Sequence, residues 1–144
     1  MQGKIRVLFL CTHNSARSQM AEGYLRSTVG SGYEVASAGT EPAHVNPFAV
    51  RAMQEMGIDI SGHTSKGIKP LLGSVWHYVI TVCDHANEHC PIFPFPSQRL
   101  HWGFSDPSQA TGTEEERLQV FRQVRDELFL KIRGWLAEQK EMRD

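Results

Sequence analysis

The chain has three cysteines among 144 residues, an odd number and too few for a disulfide scaffold, so their chemistry as free thiols is the first question. Cys11 follows the apolar run Ile5-Arg6-Val7-Leu8-Phe9-Leu10 and opens the segment Cys11-Thr12-His13-Asn14-Ser15-Ala16-Arg17-Ser18. A polar loop between a strand and a helix lets backbone N–H groups converge at the helix N-terminus. Unpaired donors and the helix dipole there hold tetrahedral oxyanions. Arg17 adds a permanently charged clamp able to grip two oxyanion oxygens. The same field favours Cys11 as a thiolate, and Ser18 is spaced to donate a hydrogen bond to it. A nucleophile and an oxyanion cradle then share one loop. The Gly-Lys-Ser/Thr ending of a nucleotide P-loop is missing. A plainer reading also stands, in which a buried cysteine closes a strand and Arg17 is a surface cation.

Cys83 also follows an apolar run, His77-Tyr78-Val79-Ile80-Thr81-Val82, and Cys90 lies seven residues on. Cys83, His85, His89 and Cys90 are zinc-type donors, but they are more crowded than the usual pairs on separate turns. The two cysteines also pass as unrelated core residues. Asp106, in Phe104-Ser105-Asp106-Pro107, reads by itself as an Asp-Pro turn.

Periodicity indicates the elements that must position these groups. Ile5 to Leu10 and His77 to Val82 read as buried strands, with Cys11 and Cys83 at their C-terminal ends. A helix starts near Ser18 and is stopped by Gly30 and Gly32. A short strand ends at Ser37-Ala38-Gly39. Asn46-Pro47 starts a second helix, which Gly57 closes. Ser61 to Gly73 reads as loop with at most a short helix, and Pro91 to Pro96 as irregular. Leu100 to Phe104 reads as an edge strand. Thr113-Glu114-Glu115-Glu116 is a capping box. The helix it opens carries Leu118, Phe121, Val124, Leu128, Ile132 and Trp135 on one stripe and runs to about Lys140.

Strands alternating with helices imply an α/β fold with a parallel sheet, and ligands in such sheets bind beyond the strands' C-terminal ends. The length predicts one domain over residues 1–144. With 15 Lys+Arg against 16 Asp+Glu, the net charge of −1 gives no electrostatic reason to coat nucleic acid or an anionic membrane. No apolar run suits a membrane span or a secretion signal, which predicts the cytoplasm and reduced thiols.

Cys-x5-Arg-Ser after the first strand resembles the low-molecular-weight tyrosine phosphatases. The continuation Arg17-Ser18-Gln19-Met20-Ala21-Glu22-Gly23 is similar to their relatives, the thioredoxin-coupled arsenate reductases. So are Ser37-Ala38-Gly39, Asn46-Pro47, Gly57-Ile58-Asp59-Ile60-Ser61, His101-Trp102-Gly103-Phe104 and Gly112-Thr113-Glu114-Glu115-Glu116, from about Ile5 to Leu136. The resemblance implies a three-layer sandwich around a four-stranded parallel sheet, and a thiol relay that reduces arsenate to arsenite for detoxification. In that relay Cys11 attacks arsenate, and Thr12, His13, Asn14, Ser15, Ala16, Arg17 and Ser18 hold the oxyanion. Cys83 attacks Cys11, which releases arsenite and leaves a transient Cys11–Cys83 disulfide. Cys90 attacks Cys83 to give Cys83–Cys90, which thioredoxin reduces. Asp106 passes a proton to the departing oxygen. No bound cofactor is implied, and the chain is expected to act as a monomer.

A helix from Cys83 to Cys90 would separate the two Cα atoms by about 10.5 Å, against the roughly 4.4–6.8 Å that a disulfide tolerates. The segment between them is therefore expected to bend or unwind on oxidation. His13 stands where relatives often have Gly, and is strained if that position needs positive φ. Ala16 stands where many carry another Cys. Asn14, Glu22 and Ser37 match a potassium site. Lys66 replaces its Asp, so the Lys66 ammonium is expected to substitute for the cation and pair with Glu22. Two rival readings share the loop: a low-molecular-weight phosphatase using Cys11, Arg17 and Asp106, and a non-catalytic oxyanion-binding redox sensor.

Overall fold

The computed structural model describes residues 3–143. Its strands are β1 (Ile5–Cys11), β2 (Tyr33–Gly39), β3 (Tyr78–Thr81) and β4 (Gln98–His101). Its α-helices are α1 (Arg17–Val29), α2 (Pro47–Gln54), α3 (Asp84–Glu88) and α4 (Glu114–Arg143). The strands form one sheet in the order β2-β1-β3-β4, and every neighbouring pair is parallel. Flanking helices cover it, with α4 packed against α1 and α2.

The strand order places the site. The chain leaves β1 for β2 on one side and returns to β3 on the other, so the connections diverge at the C-terminal ends of β1 and β3. That divergence opens a crevice where ligands bind. Cys11 ends β1, and Cys83 lies just past β3. β1 can occupy the centre because Val7, Leu8, Phe9 and Leu10 are all fully buried, which suits a parallel strand covered on both faces.

Local signals act where the sequence put them. The Asn46 side chain accepts the Phe48 N–H at 2.8 Å, with Pro47 in the first turn of α2. Gly57 ends that region at φ 75°. The Thr113 hydroxyl accepts the Glu116 N–H, and the Glu116 carboxylate accepts the Thr113 N–H. All six residues of the α4 stripe are buried.

The β4 and α4 boundaries differ from expectation. The edge strand is Gln98–His101, not Leu100 to Phe104. Gln98 already donates to the His77 carbonyl, and its polar side chain faces water, so the strand start lacks an apolar signal. Trp102 and Phe104 still donate to the Thr81 and Val82 carbonyls, but as coil. Between Ser61 and Gly73 the chain is loop with one short 3-10 turn at Lys69–Leu71, as expected. α4 continues to Arg143.

At the end of α2, Glu55 takes hydrogen bonds from Arg122 and Arg125 of α4. The Arg122 bonds, helped by Arg125 and opposed by burial, hold the Glu55 carboxyl down to about 2. A carboxyl depressed on folding stabilises the fold above its unfolded value, near 4.3, and that contribution is lost as pH falls toward 2. Because Glu55 is partly exposed, solvent screening limits the contribution to about 1 kcal/mol. Glu55→Gln is expected to lower Tm by about 2–4 °C at pH 7. Thermal melts across pH should show that difference shrinking below pH 4.

Candidate active site

The loop after β1 is shaped by what its carbonyls do. Those of Cys11, Thr12, His13 and Ser15 accept N–H groups from Thr40, Glu41, Ala43 and Asn46. The Asn14 carbonyl accepts the Gln19 side chain at 3.1 Å. In a trans peptide the C=O and the next N–H point in opposite directions. Carbonyls turned toward those donors therefore turn the N–H groups from Thr12 to Ala16 the other way. Ala16 caps α1 without a side-chain acceptor, so the first-turn N–H groups of that helix add to the same donor set. The cavity they serve is small, about 40 Å³, and is lined by Cys11, His13, Ser15, Ala16, Arg17, Asp106 and Ser108.

Asn14 holds the loop in this form. It is fully buried and is the only described non-glycine residue with positive φ, at 48°. Asn tolerates that region better than most residues. His13, where strain was expected, has no positive φ; the left-handed position falls one residue later. The Asn14 amide N–H₂ donates to Ser18 Oγ and Ser37 Oγ, both at 2.8 Å. Its Oδ1 accepts Gln19 Nε2 at 2.9 Å and the Lys66 N–H at 2.8 Å.

This assignment sets the hydrogen-bond direction at Cys11. Ser18 Oγ already accepts from Asn14, so its own hydrogen is free to point at Cys11 Sγ, 2.8 Å away. A donated hydrogen bond stabilises the thiolate. The Arg17 guanidinium donates to the Phe104 carbonyl at 3.0 Å and lies 3.7 Å from Asp106 Oδ2. Those contacts hold a buried cation at the cavity wall. Burial pushes the Asp106 carboxyl up. Hydrogen bonds from the Ser108 hydroxyl and N–H outweigh it, with help from Arg17 and Gln109, and keep it below the usual carboxylate range. Asp106 is therefore ionised at rest. It can take a proton from an incoming protonated oxyanion and return it to a leaving oxygen.

The second thiol opens onto the same loop. Cys83 is buried, and its Sγ lies 3.3 Å from Thr12 Oγ1. It also caps α3, accepting the Ala86 N–H at 3.4 Å. Cys90 is half-buried beyond α3 and donates to the Pro91 carbonyl. Burial pushes its thiol up, against the opposing charge of Arg99. All three cysteines are free. His85 and His89 stack on each other at 4.1 Å, and no cluster of three or more metal-type donors forms among the described residues.

Glu22 anchors a second buried cluster behind the loop. Ser37 donates to Glu22 Oε1 at 2.6 Å, and Lys66 Nζ stands 3.9 Å from the same oxygen. The tightest ion pair is with Arg26, at 2.7 Å, which the sequence reading did not single out. His63 lies 3.7 Å from Glu22 and bonds Gln19 Oε1. Burial lowers its pKa most, with Glu22 opposing and Arg26 and Lys66 reinforcing.

Of the candidates, Cys11, His13, Ser15, Ala16 and Arg17 line one cavity with Asp106, whereas Asn14 and Ser18 are buried out of its lining, the Thr12 hydroxyl stands against Cys83, and Cys90 lies beyond α3. Gln19, Arg26, His63 and Gly39 were missed as contributors. Only Gly39 carried a signal, as a glycine at the end of a strand. A Cβ on Gly39 would come within 2.6 Å of the Thr12 carbonyl oxygen and 2.7 Å of the Asn14 nitrogen.

Known proteins resemble this chain over most of its length. The family model described as low molecular weight phosphotyrosine protein phosphatase matches residues 6–144. A Halalkalibacterium halodurans protein named arsenate reductase is 50% identical over 127 residues, 88% of this chain and 91% of that protein. A solved structure described as an arsenate reductase in oxidized state superposes with TM-score 0.77 at 31% identity, covering 92% of this chain and 97% of the other. A Corynebacterium glutamicum thioredoxin-dependent arsenate reductase gives TM-score 0.66 at 29% identity, covering 92% of this chain and 63% of the other.

Gly39→Ala should push the loop off its geometry, since both close atoms are backbone. Overpacking of this kind costs about 1–3 kcal/mol. The expected outcome is a lower Tm and at least about tenfold weaker binding of inorganic phosphate by calorimetry, because misplaced donors lose anion affinity first.

Proposed function

The chain belongs to the low molecular weight phosphotyrosine protein phosphatase family, and we propose that within it this protein is a thioredoxin-coupled arsenate reductase working through Cys11, Cys83 and Cys90. One observation carries the choice over a phosphatase. A second buried thiol, Cys83, lies 3.3 Å from Thr12 of the oxyanion loop, and phosphate-ester hydrolysis has no use for it. The small cavity, with no Phe, Tyr or Trp in its wall, also suits a free tetrahedral anion better than an aryl ester.

The relay balances as follows. The Cys11 thiolate attacks arsenic(V) of arsenate, an oxygen leaves as water, and an S–As bond forms. Arg17 and the loop N–H groups neutralise the oxyanion, and Asp106 carries the proton to the departing oxygen. The Cys83 thiolate then attacks Cys11 Sγ. The S–As electron pair goes to arsenic, which leaves as arsenite, and a Cys11–Cys83 disulfide remains. The Cys90 thiolate attacks Cys83 Sγ and frees Cys11 as a thiolate. Thioredoxin's two thiols reduce the resulting Cys83–Cys90 disulfide. The raised thiol of Cys90 suits this order, since it stays protonated until the segment moves.

On this reading the chain works as a single-domain monomer in the cytoplasm, for arsenic detoxification. It has no bound cofactor and a weak side activity on phosphate esters. Lys66 beside Glu22 substitutes for a bound potassium ion. Arsenate turnover is therefore expected to be equal in potassium and sodium; strong stimulation by potassium would sink that assignment.

The deciding assay is NADPH consumption with arsenate, thioredoxin and thioredoxin reductase. Multiple turnover is expected for the unsubstituted chain and at most one turnover for Cys90→Ser. No turnover, together with ester hydrolysis that survives Cys83→Ser and Cys90→Ser, would establish a phosphatase. Neither activity would leave the redox sensor.

A further inference from the structure

A histidine that the relay does not use ties the redox segment to the sheet. His101, the last residue of β4, places Nε2 2.8 Å from Oδ1 of Asp84, the first residue of α3. Its other nitrogen, Nδ1, lies 2.8 Å from Thr81 Oγ1. Thr81 is the cross-strand partner of His101 in the β3–β4 register. The imidazole therefore bridges the helix that follows Cys83 to the strand that precedes it. In the neutral ring, Nε2–H donates to Asp84 and the Thr81 hydroxyl donates to Nδ1. Thr81 is buried, so the inner end is fixed, while Asp84 is exposed.

Gly103 supplies an independent observation. It does not have positive φ, so backbone conformation does not demand glycine. A Cβ there would stand 3.3 Å from Asp84 Oδ1 and 3.4 Å from His101 Nε2. The missing side chain leaves room for this pair.

α3 is short, yet it stands between the two thiols. Asn87 N–H bonds the Cys83 carbonyl at 3.2 Å, and His89 N–H bonds the His85 carbonyl at 3.0 Å. A Cys83–Cys90 disulfide requires Cα atoms within roughly 4.4–6.8 Å, which a helical turn between them prevents. Opening α3 at its Cys83 end moves Asp84, the next residue. We propose that the Asp84–His101–Thr81 bridge is a positioning device for the redox switch, closing the first turn of α3 in the dithiol state and releasing when Cys83 joins Cys90. This rests on the relay reading above. A contact made only in the dithiol state favours the dithiol, so the bridge makes the disulfide easier for thioredoxin to reduce.

The test isolates that one equilibrium. In a Cys11→Ser chain only Cys83 and Cys90 can pair. Incubation with mixtures of reduced and oxidised dithiothreitol lets the two thiols give two electrons and two protons to the cyclic disulfide, which opens to the dithiol. Alkylation and mass spectrometry then read the ratio. The pair is largely solvated on the Asp84 side, so its effect is modest. His101→Ala is expected to shift the equilibrium toward the protein disulfide about fivefold, a potential lower by ~20 mV. Asp84→Ala should do the same, and the double variant no more than either alone. Asp84→Asn, whose side-chain oxygen still accepts Nε2–H, should retain most of the original value, and Gly103→Ala should shift it in the same direction as His101→Ala. An unchanged ratio in His101→Ala, or shifts that add fully in the double variant, overturns the bridge. If the Cys11→Ser chain forms no Cys83–Cys90 disulfide at any ratio, the relay itself fails and the bridge with it.

Discussion

Asn14 sits at φ 48° with its amide wholly removed from water, and that amide makes four hydrogen bonds to three parts of the chain: α1, β2 and the loop after α2. A buried amide left partly unsatisfied is expensive, so the loop cannot relax without breaking several of these at once. Each bond has a separate consequence. The bond to Ser18 frees that hydroxyl's hydrogen for Cys11. The bond to Ser37 passes on to Glu22. The bond from Gln19 fixes the first turns of α1, and the bond from the Lys66 backbone brings in the loop after α2. Cys11, the cluster around Glu22 and the loop after β1 are thus one hydrogen-bonded unit, and Gly39 supplies the space that lets it close against β2.

The parallel sheet decides which parts of the chain can share this unit. Chain directions diverge at the ends of β1 and β3, so Cys11 and Cys83 come to the same edge of the sheet although seventy-two positions separate them in the numbering. The electrostatics then differ from thiol to thiol. Cys11 receives a hydroxyl hydrogen bond beside an arginine. Cys83 sits at a helix cap, with a backbone N–H donor and the Thr12 hydroxyl at its sulfur. Cys90 is half-buried and raised. The three sulfurs therefore stand in three different hydrogen-bonding surroundings.

The buried charges are compensated locally. Arg17 leans on a backbone carbonyl and Asp106, and Glu22 on Arg26, Ser37 and Lys66. Two charged groups behind the loop, Glu22 and Arg26, satisfy each other at 2.7 Å, which leaves Lys66 a secondary partner at 3.9 Å. The electrostatic role expected of Lys66 alone is therefore shared.

The sequence by itself determined the buried strands, the helix caps at Asn46-Pro47 and Thr113, the stripe on α4, and the group from Cys11 to Ser18 as a loop between strand and helix. These signals are local. Side-chain period, cap chemistry and strand-to-loop transitions depend on neighbours within a few residues, so they survive without the fold. The edge strand was displaced because Gln98 and Arg99 face water and carry no apolar pattern. His13 was suspected of strain that falls on Asn14, since a left-handed residue in a polar loop is chosen by distant partners such as Ser37 and Lys66. The roles of Gln19, Arg26, His63 and Gly39, and the contact of Thr12 with Cys83, were decided only by tertiary structure. The physical reason is the same in each case: a hydrogen bond or a close approach between residues far apart in sequence leaves no periodicity to read, and exists only once the sheet has brought both partners to one edge.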